Sequence, residues 1–254
     1  MTTKARYRLP LAALQHRLLA VGAICVAFGA LTRVGRAALP LGVTAVVLGL
    51  GAHLGVLGVL LLGSFAWFRW LTAGLRLRDI ERMLEALELR GDEVALELGT
   101  GDGVVAVALA KRVPHGNVLA LDDWERPHGG RGLSPVAARA NAELEGVAAR
   151  VRVMTTPFDR IDLPDASVDV AVACFSLHHL ERDVRTRALN ELARVLAPNG
   201  RLLVSEPFHR AAIAETLARA GLRVTRGGRT FPRWLFGWVL AERGVSRART
   251  RRLR

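Results

Sequence analysis

The stretch that most constrains the fold is Val94-Ala-Leu-Glu-Leu-Gly-Thr-Gly-Asp-Gly103, where an apolar, strand-like run passes through three alternating glycines into the helix-forming segment at 104–112. Glycine enters left-handed backbone at little steric cost and lets a ligand approach main-chain amides. The helix that follows leaves N–H groups unpaired at its N-terminus, which favours polar or anionic ligand groups. Nineteen residues beyond Gly103, a second strand-like run, Val118-Leu-Ala-Leu-Asp122, ends in a carboxylate placed to accept two ribose hydroxyls. Either feature alone is common. Together, in strand context, they point to a doubly wound α/β domain that holds a nucleoside-containing cofactor.

The pattern downstream agrees. Ile80, Met83, Leu84 and Leu87 recur at helical spacing and give a leading helix. Strands are expected at 93–98, 117–122, 151–155, 168–175 and 201–206, and two more at 222–225 and 236–242, which makes a mostly parallel seven-stranded sheet. The run at 168–175 is almost continuously apolar, as in a central parallel strand. Helices are expected at 104–112, 136–145, 184–196 and 211–220, the second capped by Ser134 with Pro135 at its first position.

The glycine spacing decides between cofactors. It is Gly-x-Gly-x-Gly, not the Gly-x-Gly-x-x-Gly of a dinucleotide site, and Glu97 directs a carboxylate into the turn. A carboxylate there repels a pyrophosphate and suits a cation. Here the chain resembles the class I S-adenosylmethionine-dependent methyltransferases, with a Rossmann-like fold. The resemblance extends through Asn141-Ala-Glu-Leu-Glu-Gly-Val147, Leu163-Pro-Asp-Ala-Ser-Val-Asp169, Ser176-Leu-His-His179 and Arg194-Val-Leu-Ala-Pro-Asn-Gly-Arg-Leu-Leu203, covering about residues 80 to 243. Membrane-anchored bacterial members with a short hydrophobic N-terminus and Asp-x-Trp after strand two, here Asp122-Asp-Trp124, are especially similar.

By position, the resemblance implies that Glu97 and the backbone of Gly99, Thr100, Gly101 and Gly103 hold the methionine part of S-adenosyl-L-methionine, while Asp122 takes the ribose. Asp123 falls beside the adenine, where the family usually has an apolar residue. Pro157 stands where an Asp commonly meets the adenine amino group, which leaves that role to Phe158, main chain, or Asp159 with a two-residue shift. Cys174, at the end of strand four, joins the cofactor-binding set. His178, His179 and Glu206, at the sheet edge where such folds bind ligands, are the candidate catalytic residues; for the His pair a structural role at a helix start is the competing reading. The Asn/Asp-Pro-Pro-aromatic signature of nucleobase amino methylation is absent after strand four. The two departures keep open a non-catalytic cofactor-binding or scaffold protein with a degenerate domain.

The termini differ in kind. Residues 1–78 hold nine Lys/Arg and no acid, residues 223–254 hold ten Arg against Glu242, and the middle carries twenty-two acids and seventeen bases, so the net charge of +13 belongs to the ends. Basic flanks beside apolar runs favour anionic lipid over nucleic acid as partner. Fifteen uncharged residues at 18–32 and thirty-two at 37–68 predict about two transmembrane helices; the second run could instead break near Gly51-Ala-His53 into two short re-entrant pieces, and three spans stay open. Trp67 and Trp70 end that run, and the bias of basic residues to the outer flanks puts both ends, and the catalytic domain, on the cytosolic side of the cytoplasmic membrane. His53, alone in an apolar run, is read as structural.

The expected organisation is an anchoring segment at 1–75, a methyltransferase domain at 76–243 and a basic tail at 244–254. The loop 125–132 reads as a lid over the site or as an ordinary connection. Cys25 and Cys174 are too few for a disulfide framework or a zinc site, so no metal is expected. The expected activity is methyl transfer to a lipid or other hydrophobic acceptor.

Overall fold

The computed structural model describes residues 12–34, 41–124, 134–207, 209–230 and 236–244. The expected lid at 125–132 lies wholly outside this set, and the basic tail, but for Gly244, outside it too. The chain divides into two compact units, one of Leu9–Arg76 and one that holds the chain from Leu77.

In the first unit, helix α1 (Ala12–Val34) packs on the early part of helix α2 (Leu41–Glu85). The two backbones meet at glycines. A Cβ on Gly58 would stand 2.7 Å from the Gly22 carbonyl and 2.9 Å from Val26 Cγ2. Outward faces of both helices expose large apolar side chains, including Ile24, Leu31, Val46, Val56 and Leu60. Among the described residues, however, no helix is long and apolar enough to cross a membrane, so the expected transmembrane spans find no support there. The uncharged stretch at 18–32 makes only about 22 Å of helix against a ~30 Å hydrocarbon core, and the start of the stretch at 37–68 lies outside the described residues. His53 Nδ1 lies 2.7 Å from the Gly49 carbonyl one turn earlier, a local bond that accounts for it.

In the second unit the seven expected strands form one sheet: β1 (Val94–Leu98), β2 (Asn117–Asp122), β3 (Val151–Thr155), β4 (Val168–Cys174), β5 (Leu196–Glu206), β6 (Leu222–Thr230) and β7 (Phe236–Arg243). Their order is β3-β2-β1-β4-β5-β7-β6, with β7 alone antiparallel to its neighbours. Helices α3 (Val104–Arg112), α4 (Pro135–Leu144), α5 (Arg182–Val195) and α6 (Arg210–Arg219) cover the faces. Ser134 caps α4 by accepting from the Ala137 amide at 3.2 Å, with Pro135 next in line, as the sequence predicts.

Strand alternation sorts side chains onto the two faces. Ala95 packs with Val105, Leu109, the end of α2 (Ile80, Met83, Leu84) and Leu87 just past it. Leu96 and Leu98 point the other way, into a cluster with Leu189 and Leu192 of α5 and Leu217 of α6. Three of the residues read as a leading helix, Ile80, Met83 and Leu84, are thus on the last turns of the 45-residue α2, and Leu87 lies in the turn that follows. The connections after β1 and after β4 leave the sheet to opposite sides, and this switch point is where doubly wound folds bind ligands.

Two strands exceed their sequence bounds. β5 begins at Leu196, which pairs with Val168 before a register shift brings Arg201 opposite Val170. Pro198, Asn199 and Gly200, a run that reads as a turn by composition, therefore lie inside the strand as an irregularity, with Asn199 at a left-handed φ of 64°. β6 runs on through Gly227 and Gly228 because the Trp238 ring of β7 covers Gly228 so closely that a Cβ there would stand 2.5 Å from the indole.

Candidate active site

The glycine turn after β1 has the predicted backbone. Gly99, Gly101 and Gly103 have φ of 86°, 55° and 86°, and Gly103 caps α3 with no side-chain bond to the helix amides. Two neighbours hold the turn open. The amides of Gly99 and Thr100 both donate to the Leu121 carbonyl of β2, at 2.8 and 3.0 Å. Ser176, just past β4, closes over Gly99: a Cβ there would fall 2.0 Å from Ser176 Cβ. Ser176 Oγ donates to the Leu98 carbonyl at 2.8 Å, tying the ends of β1 and β4 together. A side chain at position 99 has nowhere to go, so glycine is needed for space as well as for φ.

Glu97 shares a sheet face with Ala95 and is 1% exposed. Its Oε2 accepts from Thr100 Oγ1 at 2.6 Å. Burial is the main cause that pushes its pKa to about 8; the Thr100 hydroxyl and the Ala106 amide oppose the shift, and the Asp122 and Asp102 carboxylates add to it. The acid at this turn is therefore not alone. Glu97, Asp102 and Asp122 form a cluster, with Asp102 4% exposed. Asp122 Oδ2 accepts from the Gly101 amide at 2.6 Å, so the second strand's acid braces the glycine turn itself. Its pKa is raised by burial, against the Gly101 and Asp123 amides that favour the ionised form.

Asn141, whose Nδ2 donates to the Asp102 carbonyl at 2.9 Å, fixes the turn from α4. Asp102 was missed from sequence: between two glycines it reads as an ordinary turn residue. Its position one before Gly103 was the only available signal. Among the described residues no group of His, Cys, Asp and Glu could hold a metal ion.

The adenine-side expectations fare differently. Asp123 follows directly on Asp122 and is half-buried. Phe158 is buried in the cluster with Leu96, Leu98 and Leu121. Asp159 Oδ2 accepts from Arg187 Nε and Nη2 of α5 at 3.0 and 2.9 Å, so this carboxylate is committed to an ion pair. Cys174 ends β4 buried on the Ala95 face. Trp124, packed against the same cluster, has a buried indole N–H with no partner in the described structure.

The three candidate catalytic residues meet at the same sheet edge. Glu206, at the end of β5, is 2% exposed. Its Oε1 accepts from the amides of Ser176 and Leu177 at 2.9 and 2.7 Å. Its Oε2 accepts from the His178 amide at 3.3 Å and lies 2.7 Å from His178 Nδ1. His179 is exposed, its ring centroid 3.7 Å from that of His178.

A left-handed glycine turn at the sheet's switch point, backed by buried carboxylates and aimed at a helix N-terminus, defines a site for a cationic nucleoside cofactor. Residues 96–204 match the methyltransferase domain family. This stretch is a methyltransferase domain of the class I S-adenosylmethionine-dependent kind. The chain is 32% identical over 124 residues to an uncharacterized methyltransferase of Mycobacterium tuberculosis, a match covering 49% of this chain and 55% of the relative. It is 30% identical over 138 residues to the demethylmenaquinone methyltransferase of Thermus thermophilus, covering 54% and 58%. The chain thus spans little more than half the length of these curated relatives. Among solved structures, a SAM-dependent methyltransferase from Aquifex aeolicus superposes with a TM-score of 0.54 at 26% identity, over 65% of this chain and 89% of that one.

The residues present fit the cofactor. The buried carboxylates complement a cationic methionine moiety, the glycines leave a cradle that a Cβ would fill, and the Asp122 carboxylate keeps acceptor capacity beyond the Gly101 and Asp123 amides for a ribose hydroxyl.

Proposed function

We propose that this protein transfers the methyl group of S-adenosylmethionine to a hydrophobic acceptor presented at a membrane, where the α1/α2 unit anchors it. Glu97 with Asp102 and the turn at 99–103 hold the methionine end, and Asp122 the ribose. When bound, the cofactor supplies an electrophilic methyl group on a sulfonium, so the protein's work is positioning, exclusion of water and, for some acceptors, removal of a proton.

The single observation that carries the reading is the buried Glu97 carboxylate at the base of the left-handed glycine turn, which favours a positively charged donor and disfavours a phosphate-bearing one. Two observations support the membrane part. Exposed apolar side chains are concentrated on α1 and α2, with Ile24 and Leu31 each 67% exposed. The glycine contact at Gly22 and Gly58 is of the close-packed kind that small residues permit in apolar surroundings. The acceptor class draws on the Thermus relative, named as a demethylmenaquinone methyltransferase.

Membranes from cells expressing the full chain, incubated with donor labelled in its methyl group, test the proposal. Label is expected in the organic extract. Label confined to protein or to water-soluble products would overturn the acceptor class. Absence of both transfer and donor binding would favour the scaffold reading.

A further inference from the structure

The contact between Glu206 and the segment after β4 is more than a structural staple. A carboxylate that only tied the end of β5 to that segment would be served by the Ser176 and Leu177 amides at 2.9 and 2.7 Å. Here the second oxygen also lies 2.7 Å from a titratable ring, His178, whose side chain is 18% exposed. A carboxylate oxygen accepts only, so His178 Nδ1 must carry the proton of that bond. In the neutral ring Nε2 is then a bare acceptor. Nε2 has no partner among the described residues, and it is not a sealed buried atom. Among the described residues, Glu206 from β5 and His179 from its own segment are the titratable groups seen against the ring. His178 lies two residues past Ser176, which closes over Gly99, so the ring sits on the short segment that touches the cofactor turn.

We propose that His178 is the proton acceptor of the reaction and Glu206 its positioning residue, and that the acceptor is accordingly one that gives up a proton as it is methylated: a phenolic hydroxyl, or the ring carbon of a phenol or reduced quinone. This rests on the methyltransferase reading above and narrows its acceptor. In the balanced step, the acceptor oxygen or carbon forms a bond to the methyl carbon. The methyl–sulfur bond breaks with its electron pair left on sulfur. The acceptor's proton passes to His178 Nε2, where the Glu206 carboxylate stabilises the imidazolium, and then to solvent. An amine acceptor already carries its lone pair when neutral and needs no such base.

Histidine-selective 15N labelling of the full chain in detergent tests the proton's position without any acceptor. Long-range 1H–15N spectra at pH 8 resolve ring tautomers, and His178→Asn identifies the signal among the seven histidines. The wild type is expected to show His178 protonated at Nδ1. In Glu206→Gln the amide oxygen keeps the Ser176 and Leu177 amides while the amide NH2 donates to Nδ1, so the tautomer should reverse to Nε2–H. A wild-type ring protonated at Nε2, or a tautomer that Glu206→Gln leaves unchanged, overturns the proposal. If Glu206→Gln does not fold, the wild-type tautomer decides.

The second arm uses reduced demethylmenaquinone in detergent micelles with labelled donor. His178→Asn and Glu206→Gln should each lower transfer at least a hundredfold, within the usual range for a lost general base, while donor Kd stays within twofold. Transfer by His178→Asn within threefold of wild type overturns the proposal. No transfer by the wild type counts against the acceptor class alone, and the tautomer measurement still decides the role of the pair.

Discussion

At the scale of single residues, two positions carry the cofactor turn by different physics. Gly99 is fixed by space: its missing side chain is where Ser176 Cβ sits, 2.0 Å from a built Cβ, at a φ of 86° that disfavours other residues. Gly99→Ala should weaken donor binding more than a hundredfold by calorimetry, and adding Ser176→Gly should restore part of it by removing the clash but not the φ strain. Glu97 is governed by charge. Its pKa near 8, set first by burial, means that the unliganded folded state keeps a proton that the unfolded chain releases near 4.5. The folded state then binds more protons between those values, so this group's contribution to stability is complete below about 4.5 and is lost as pH rises through about 8. A bound cation reverses the preference. Donor affinity should therefore rise with pH, by at most about tenfold per unit, and level off above about 8; titrations between pH 6 and 9 check this, and a flat profile would contradict it. These two residues were legible because their meaning lies in local spacing. The Glu206 clamp was legible only as a nearby acid. It joins residues 28 to 30 apart, and their meeting depends on the β4–β5 register that sets Cys174 beside Ser205.

At the scale of elements, β1 to β4 fall within about a residue of their sequence bounds, because unbroken apolar runs between polar turns leave little choice of register. β5 and β6 overrun theirs for reasons that lie in neighbouring strands. Leu196 is drawn into β5 by pairing with Val168, past a Pro-Asn-Gly run that reads locally as a turn. Gly227 and Gly228 have poor strand propensity, yet the Trp238 ring occupies the volume a side chain at 228 would take. Gly228→Ala should therefore destabilise the fold although alanine is the better strand former, by roughly 1–3 kcal/mol for overpacking. Thermal unfolding measures it, and an unchanged or raised Tm would show that the indole has room to move. The adenine side was the least legible part of the site. Asp159 was a reasonable surrogate by position, but Arg187, 28 residues on in α5, claims its carboxylate at 2.9 Å.

At the scale of the whole molecule, the chain joins a helical unit with exposed apolar faces to an α/β unit that carries the cofactor site, and its positive charge is concentrated toward its ends. If the helical unit holds the protein at a bilayer, Leu57→Asp with Leu60→Asp, both exposed on α2, should reduce co-flotation of the full chain with phosphatidylethanolamine/phosphatidylglycerol vesicles at least fivefold and leave donor affinity within twofold. Flotation equal to wild type would count against anchoring by this unit. The central claim is that a buried carboxylate at the first strand's end selects a cationic donor. Calorimetry of S-adenosylmethionine binding to the full chain at pH 7, in two buffers of different ionisation enthalpy, tests it most directly. The account predicts close to one proton released on binding by the wild type, and in Glu97→Gln no release and an affinity at least tenfold lower. Binding unchanged by Glu97→Gln, with no proton released by the wild type, would contradict it.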